Sequence, residues 1–263
     1  MFALAATAAA AQSNVTRIVV PFGAGGVQDI LARAISAELG AALGQKVIVE
    51  NRTGAGGTIG TASVAKAAPD GHTLILSAAS HTINGSLYAK LPYDPIADFA
   101  GVAHIGTVEY VLMVSAALPA RTVAEFVDYA RANPGKLNYA TAGSGSATHL
   151  SMAYFAGLTG IDMVHVPYKA TNEAVNEVLA GRSHAVIAAN IGALGFVRDV
   201  RVRMLGVTSA KRSRFLPGLP TIAESGVPGY EFDSWLDCSG LPRFRCRPWR
   251  ESTQRSGPCS KIR

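Results

Sequence analysis

Short apolar runs rich in Val and Ile alternate along this chain with longer stretches whose apolar positions recur every three or four residues. The runs at 17–22, 46–51, 73–77, 102–105, 110–114, 137–140, 163–167, 184–189 and 204–208 predict strands. The stretches at 28–43, 57–67, 123–132, 147–160 and 172–180 predict helices. In the first helix Ile30, Leu31, Ala34, Ile35 and Leu39 share one face, and Thr122 is placed to cap the helix that starts at 123. Strand and helix in alternation predict an α/β protein with a mostly parallel sheet.

The alternation changes character near residue 100, where two strand signals follow each other before the next helix. Two α/β lobes joined by extended crossing segments follow from this: residues 14–115 with part of 209–235, and residues 116–208. Ligands of open parallel sheets collect at the carboxyl ends of the strands, and two lobes can set two such edges face to face.

At 263 residues the chain is long enough for two cores, and 49% hydrophobic against 16% charged residues excludes a disordered or nucleic-acid-coating chain. The net charge of +6 gives no evidence of an acidic partner. Seven basic residues between Arg243 and Arg263, against Asp237 and Glu251, account for nearly all of it. The three cysteines, Cys238, Cys246 and Cys259, lie in the same stretch. Residues 1–237 therefore hold no thiol nucleophile, disulfide framework or thiolate metal site, and neither metal nor cofactor is expected. The Ala-rich start, residues 1–13, ends in small residues like a secretory signal with an A-x-A site but lacks its positive charge. A signal remnant, and hence export, is expected.

Three glycine-rich loops follow strands: PFGAGGVQD (21–29), NRTGAGGTIG (51–60) and ATAGSGSATH (140–149). None carries the lysine of a Walker loop. The first two approach the dinucleotide pattern but hold Gln28 and Ile59 at the third glycine position. The third is no nucleophile elbow, because Ala142 precedes Ser144 by two residues and Ser144 precedes Ser146 by two. His149 reads first as a helix-start residue bonded to its own loop. What the loops share is uncovered N–H groups near helix starts, joined in the third by the hydroxyls of Ser144, Ser146 and Thr148, a donor set that suits a carboxylate. Asp29 either caps its helix or receives an ammonium or hydroxyl.

In order, RIVVPFGAGGVQDILAR, VIVENRTGAGGTIGTASVAKAAPDGHTLIL, HTIN, YDPIADFAGVAHIG, NPGKLNYATAGSGSATHLSMAYF, DMVHVPYKA, LAGR and LGVTSAKRSRFLPGLPTIAESGVPGYE run collinearly over residues 17 to about 235. This series resembles the substrate-binding proteins of tripartite tricarboxylate transporters, the Bug family of extracytoplasmic solute receptors. The resemblance implies a type II periplasmic-binding-protein fold, and a monomeric periplasmic receptor that closes on a small carboxylate and passes it to membrane permease subunits. The ligand class is a dicarboxylate, aromatic acid or amino acid.

Carried over by position, the ligand residues are Phe22, Gly23, Ala24, Gly25, Gly26 and Asp29 on the first loop, and Ser80, His81 and Asn84 after the third strand. On the other lobe they are Gly143, Ser144, Ser146, Thr148, His149, Tyr168 and Asn190. Lys169 reads as a solvated charge. Ala170 and Asn190 stand where relatives usually have Gly and Asp. From the residues alone, the competing function is a nucleotide-dependent α/β enzyme using the glycine loops.

The family pattern stops after Trp235. Residues 236–263 read as an aberrant basic tail, and a frameshift explains them economically: codons for residues 237–242 can be chosen that give Leu-Phe-Gly-Pro-Ala in another frame. The expectation is a first lobe without its covering helices, and receptor activity impaired by the loss.

Overall fold

The computed structural model describes residues 15–242. The expected signal remnant, and the basic tail from Arg243 onward, lie outside the described residues. In chain order the elements are β1 (Val15–Val20), α1 (Val27–Leu43), β2 (Lys46–Asn51), α2 (Thr58–Ala65), β3 (Thr73–Ala78), α3 (Ser80–Leu87) and β4 (Ala100–Ser115). There follow α4 (Val123–Ala132), β5 (Asn138–Thr141), α5 (Ala147–Thr159), β6 (Val164–Pro167), α6 (Thr171–Leu179), β7 (Ala185–Ala189), α7 (Asn190–Ala193), β8 (Val202–Val207) and β9 (Asp233–Gly240). Among the described residues no helix is long and apolar enough to cross a membrane.

The strands lie in the order β2-β1-β3-β9-β4-β7-β5-β6, with β8 on the second half of β4. β1 pairs in parallel with β2 and β3, and β5 with β6 and β7. These are the parallel edges of two lobes. The sheet is less parallel than its pattern predicts, because β4 and β9 run antiparallel to each other and to their neighbours. β4 was expected as two strands and is one of 16 residues. Its first part pairs with β9, shifting register between Gly101 and Ala103 and between His104 and Gly106; its second part pairs with β7 and β8 in the other lobe. A strand shared in this way ties the lobes together.

Each lobe has its own core. In the first, Ile18, Val20, Leu74 and Leu76 pack with Ala32 of α1 and Cys238 of β9. In the second, Phe126, Met152 and Phe155 pack against Ile187 of β7, and each such side chain contributes about 1.5–3 kcal/mol on burial. α4 starts as its sequence directs: Thr122 Oγ1 accepts from Glu125 N at 3.2 Å and Glu125 Oε2 accepts from Arg121 N at 2.6 Å, a reciprocal cap.

The stretch read as tail from residue 236 begins inside a strand. Leu236, Asp237, Cys238, Ser239 and Gly240 complete β9, paired on one side with β3 and on the other with β4. Cys238 is core rather than tail, and burial, helped by the nearby Asp237 charge, pushes its thiol up to about 12.

Candidate functional site

All three glycine loops lie at the carboxyl ends of parallel strands, after β1, β2 and β5, and the missing Cβ atoms are where the lobes touch. A Cβ built on Gly23 would fall 2.5 Å from Ala170 Cβ, one on Gly56 2.0 Å from the Ser144 carbonyl oxygen, and one on Gly145 2.5 Å from Asn84 Oδ1. Tyr88 Oη also donates across the cleft to Ser144 O at 3.1 Å. Between these contacts opens a cavity of about 700 Å³ lined by Gly54, Ala55 and Gly56 of the second loop, by Tyr88, by Ala142, Gly143 and Ser144 of the third, and by Pro167, Tyr168, Lys169 and Glu173. The N–H groups of Ala55, Gly56 and Ser144 donate to no acceptor among the described residues.

On the first loop Phe22 is buried beneath Gly57, its carbonyl accepting from Asn51 Nδ2. Gly25, at φ +79°, lies against Asn172 of α6, while the N–H groups of Gly23 and Ala24 donate to no acceptor among the described residues. Gly26 N returns to Gly23 O. Asp29 holds the loop closed: Oδ2 accepts from Gly25 N at 3.0 Å, and Arg33 pairs with both carboxylate oxygens. Burial pushes this carboxyl up, yet the bonds from Arg33, Gly25 N and Asn51 outweigh it and hold it below the usual range. Among the described residues Asp29 is engaged by its own loop and by Arg33, three residues beyond the helix N-cap Gly26.

On the third loop most hydroxyls are committed. Ser146 Oγ donates to Gly143 O at 2.6 Å and accepts from His149 N, and Thr148 Oγ1 accepts from Ala142 N at 2.8 Å. Ser144 is exposed at the cavity, with its hydroxyl uncommitted. His149 Nδ1 accepts from Gly145 N at 3.2 Å, the bond to its own loop that its position suggested. Its ring centroid lies 4.2 Å from that of His165, the planes tilted by 32°. Burial, and for His165 the neighbouring His149, lowers both imidazoles, His165 to about 4. Tyr168 lines the cavity and donates to Glu177 Oε2 at 3.3 Å.

Ser80, His81 and Asn84 are buried on α3. His81 faces away from the cleft: its Nε2 meets Pro95 O at 2.8 Å and its ring packs edge-on to Phe99, so it braces residues 93–99. Asn84 joins loops, Nδ2 donating to Gly56 O at 3.1 Å while the buried Oδ1, without a partner, faces Gly145. Asn190 stands apart from the others. Its Nδ2 donates to Glu109 Oε2, and it lines a second cavity, also about 700 Å³, with Glu109, Asp233, Arg212, Arg214 and Phe215.

Sequence reasoning named no ligand residue on the second glycine loop, although it carries the same signal as the other two, a glycine run at a strand's carboxyl end. It also set Lys169 aside as solvated, and Tyr88 gave no signal at all. Among the described residues no group of three or more His, Cys, Asp or Glu is arranged to hold a metal.

The family model of the tripartite tricarboxylate transporter family receptor matches residues 31–240. The chain is 40% identical over 229 residues to a protein encoded in the tcbD–tcbE intergenic region of Pseudomonas sp. strain P51, covering 86% of this chain and 68% of that protein. Its fold matches Rpa4515 of R. palustris with adipate at a TM-score of 0.86 and 37% identity, covering 91% of this chain and 80% of the other. MatC of Rhodopseudomonas palustris with bound malate matches at 0.86 and 31% identity, covering 92% and 83%. Motif series, two-lobed fold and family match agree: the chain belongs to the receptor family of tripartite tricarboxylate transporters.

Proposed function

We propose that this receptor captures a small carboxylate in the periplasm, acting as a monomer and without catalysis, and delivers it to the membrane permease subunits of a tripartite tricarboxylate-type uptake system. One observation carries the reading. The interlobe cavity combines backbone N–H groups unpaired among the described residues, on two loops from different lobes, with the hydroxyl of Ser144, a donor set that suits carboxylate oxygens and is complete only when the lobes meet. Relatives of the same fold with adipate and with malate support the ligand class. Dicarboxylates are favoured; aromatic acids and amino acids are the further candidates.

Thermal unfolding with a ligand panel tests the proposal. A ligand at a hundred times its Kd adds about 2.7 kcal/mol, which raises the midpoint of a chain this size by roughly 5–10 °C. Malate, adipate, benzoate or an amino acid should produce such a rise. A rise with NAD or ATP, and none with any carboxylate, would overturn it.

A further inference from the structure

Lys169 is the one basic side chain among those lining the interlobe cavity, and it makes no ion pair among the described residues. Glu173, on the same wall of the cavity, already accepts from Lys169 N at 3.1 Å and sits in the first turn of α6, where the helix start offsets its charge. On the opposite wall Ala55, Gly56 and Gly57 have φ of +46°, +61° and +95°. They lie in a turn closed by Gly57 N on Gly54 O, and the N–H groups that a turn leaves unpaired attract anions. Gly57 N is spent on Gly54 O, whereas Ala55 N and Gly56 N have no acceptor among the described residues. Gly23 of the first loop lies against the Lys169 carbonyl and Ala170.

We infer that Lys169 and the second glycine loop form a subsite for the distal carboxylate of a dicarboxylate whose other carboxylate is held by the third loop, so that Lys169 sets the preference for diacids over monoacids. The inference rests on the carboxylate-receptor reading and adds a residue and a loop to it. The ammonium supplies the full charge that backbone donors lack, and the second loop supplies donors from the other lobe, so the distal carboxylate is satisfied only in the closed state.

Calorimetric titration of wild type, Lys169→Met and Lys169→Arg with malate and adipate, and with lactate and hexanoate as monoacid counterparts, tests it. Lys169→Met should weaken the better diacid tenfold or more while leaving the monoacids within twofold. Lys169→Arg should retain most of the diacid preference, and added NaCl should weaken diacid binding to wild type but not to the Met variant. The side chain is exposed, so unfolding midpoints should coincide. Wild type that binds monoacids as tightly as diacids, or a Met variant that weakens both alike or neither, overturns the subsite and leaves the receptor reading standing. Wild type that binds no carboxylate overturns both.

Discussion

Substituting Gly56 by Ala separates lobe closure from lobe folding. Gly56 has φ +61°, and its missing Cβ would lie 2.0 Å from Ser144 O, 3.1 Å from Ser144 C and 3.3 Å from Tyr88 Oη. Two penalties follow, and they fall on different equilibria. An alanine in the left-handed region costs about 1–2 kcal/mol in any folded state, open or closed, and lowers the unfolding midpoint by roughly 2–8 °C. The collision with Ser144 exists only when the lobes are closed. To restore ordinary contact the first lobe, which carries both the second loop and Tyr88, must retreat from Ser144 by more than 1 Å, which breaks the 3.1 Å bond from Tyr88 to Ser144. That bond is worth about 0.5–1.5 kcal/mol. With the lost packing, the closed state is raised by about 2 kcal/mol, a loss of about 30-fold in ligand affinity.

Gly44 provides the control. It ends α1 at φ +61°, and nothing lies within 4 Å of where its Cβ would be. Gly44→Ala should therefore show a similar fall in midpoint with affinity unchanged. Thermal unfolding of both variants, followed by titration with whichever of malate and adipate binds wild type, gives the comparison. If Gly56→Ala binds as tightly as Gly44→Ala, the lobes do not meet at Gly56 in the liganded receptor.

The histidine pair gives a pH dependence with a definite sign. His165 and His149 titrate lower in the folded chain than in the unfolded one, where a histidine has a pKa of about 6.5. The stability they contribute is complete above that value and is lost as the pH falls towards about 4. Asp233, pushed up to about 6 by burial and by Glu109 and Glu231, works in the opposite direction. Unfolding midpoints between pH 7.5 and 4.5 should thus decline less steeply in His165→Gln than in wild type, and equal slopes would refute the assignment. Cys238, tested in a background with Cys246 and Cys259 replaced by Ser, should resist thiol reagents in the native protein and react on denaturation; free-thiol rates in the native state would show β9 undocked. Cys238→Ser, which puts a hydroxyl among Ile18, Leu74 and Leu76, should cost about 1–3 kcal/mol by urea unfolding. Tyr88→Phe should weaken ligand binding a few-fold through the lost bond to Ser144, with little change in midpoint.

Elements with a clear apolar period were legible in the sequence. β2 and α4 begin and end where the pattern puts them, α4 because Thr122 and Glu125 cap it. α3 was not legible, because SHTINGSL has no apolar stripe and its buried residues are Ser80, His81 and Asn84. β9 was hidden for a related reason. Its inward positions are Ser234, Leu236 and Cys238, so the period of two carries a single strongly apolar residue, and the strand is held mainly by main-chain pairing to β3 and β4. β4 reads as two strands because Gly106 and Thr107 interrupt the apolar run. The strand runs on through that interruption, with a register shift between His104 and Gly106 beside it.

The glycine loops show why a site can be recognised by its residues while its mechanics stay hidden. Read as sequence, each glycine marks exposed backbone donors near a helix start. In three dimensions Gly23, Gly56 and Gly145 are also the points where one lobe's backbone approaches the other, so the same residues that free N–H groups for a ligand permit the closure that encloses it. The two roles constrain each other across the cleft. The methyl of Ala170 fits only because Gly23 opposite has none, since a second Cβ there would come within 2.5 Å. Space for one methyl is shared between the two loops, and in this receptor it is taken from the α6 side. A Gly23→Ala change should therefore hold the cleft ajar and weaken ligand binding, and combining it with Ala170→Gly should restore the affinity, a compensation that titration of the single and double variants would reveal; failure of the double variant to recover would mean that Gly23 is needed for its N–H geometry rather than for the space it leaves.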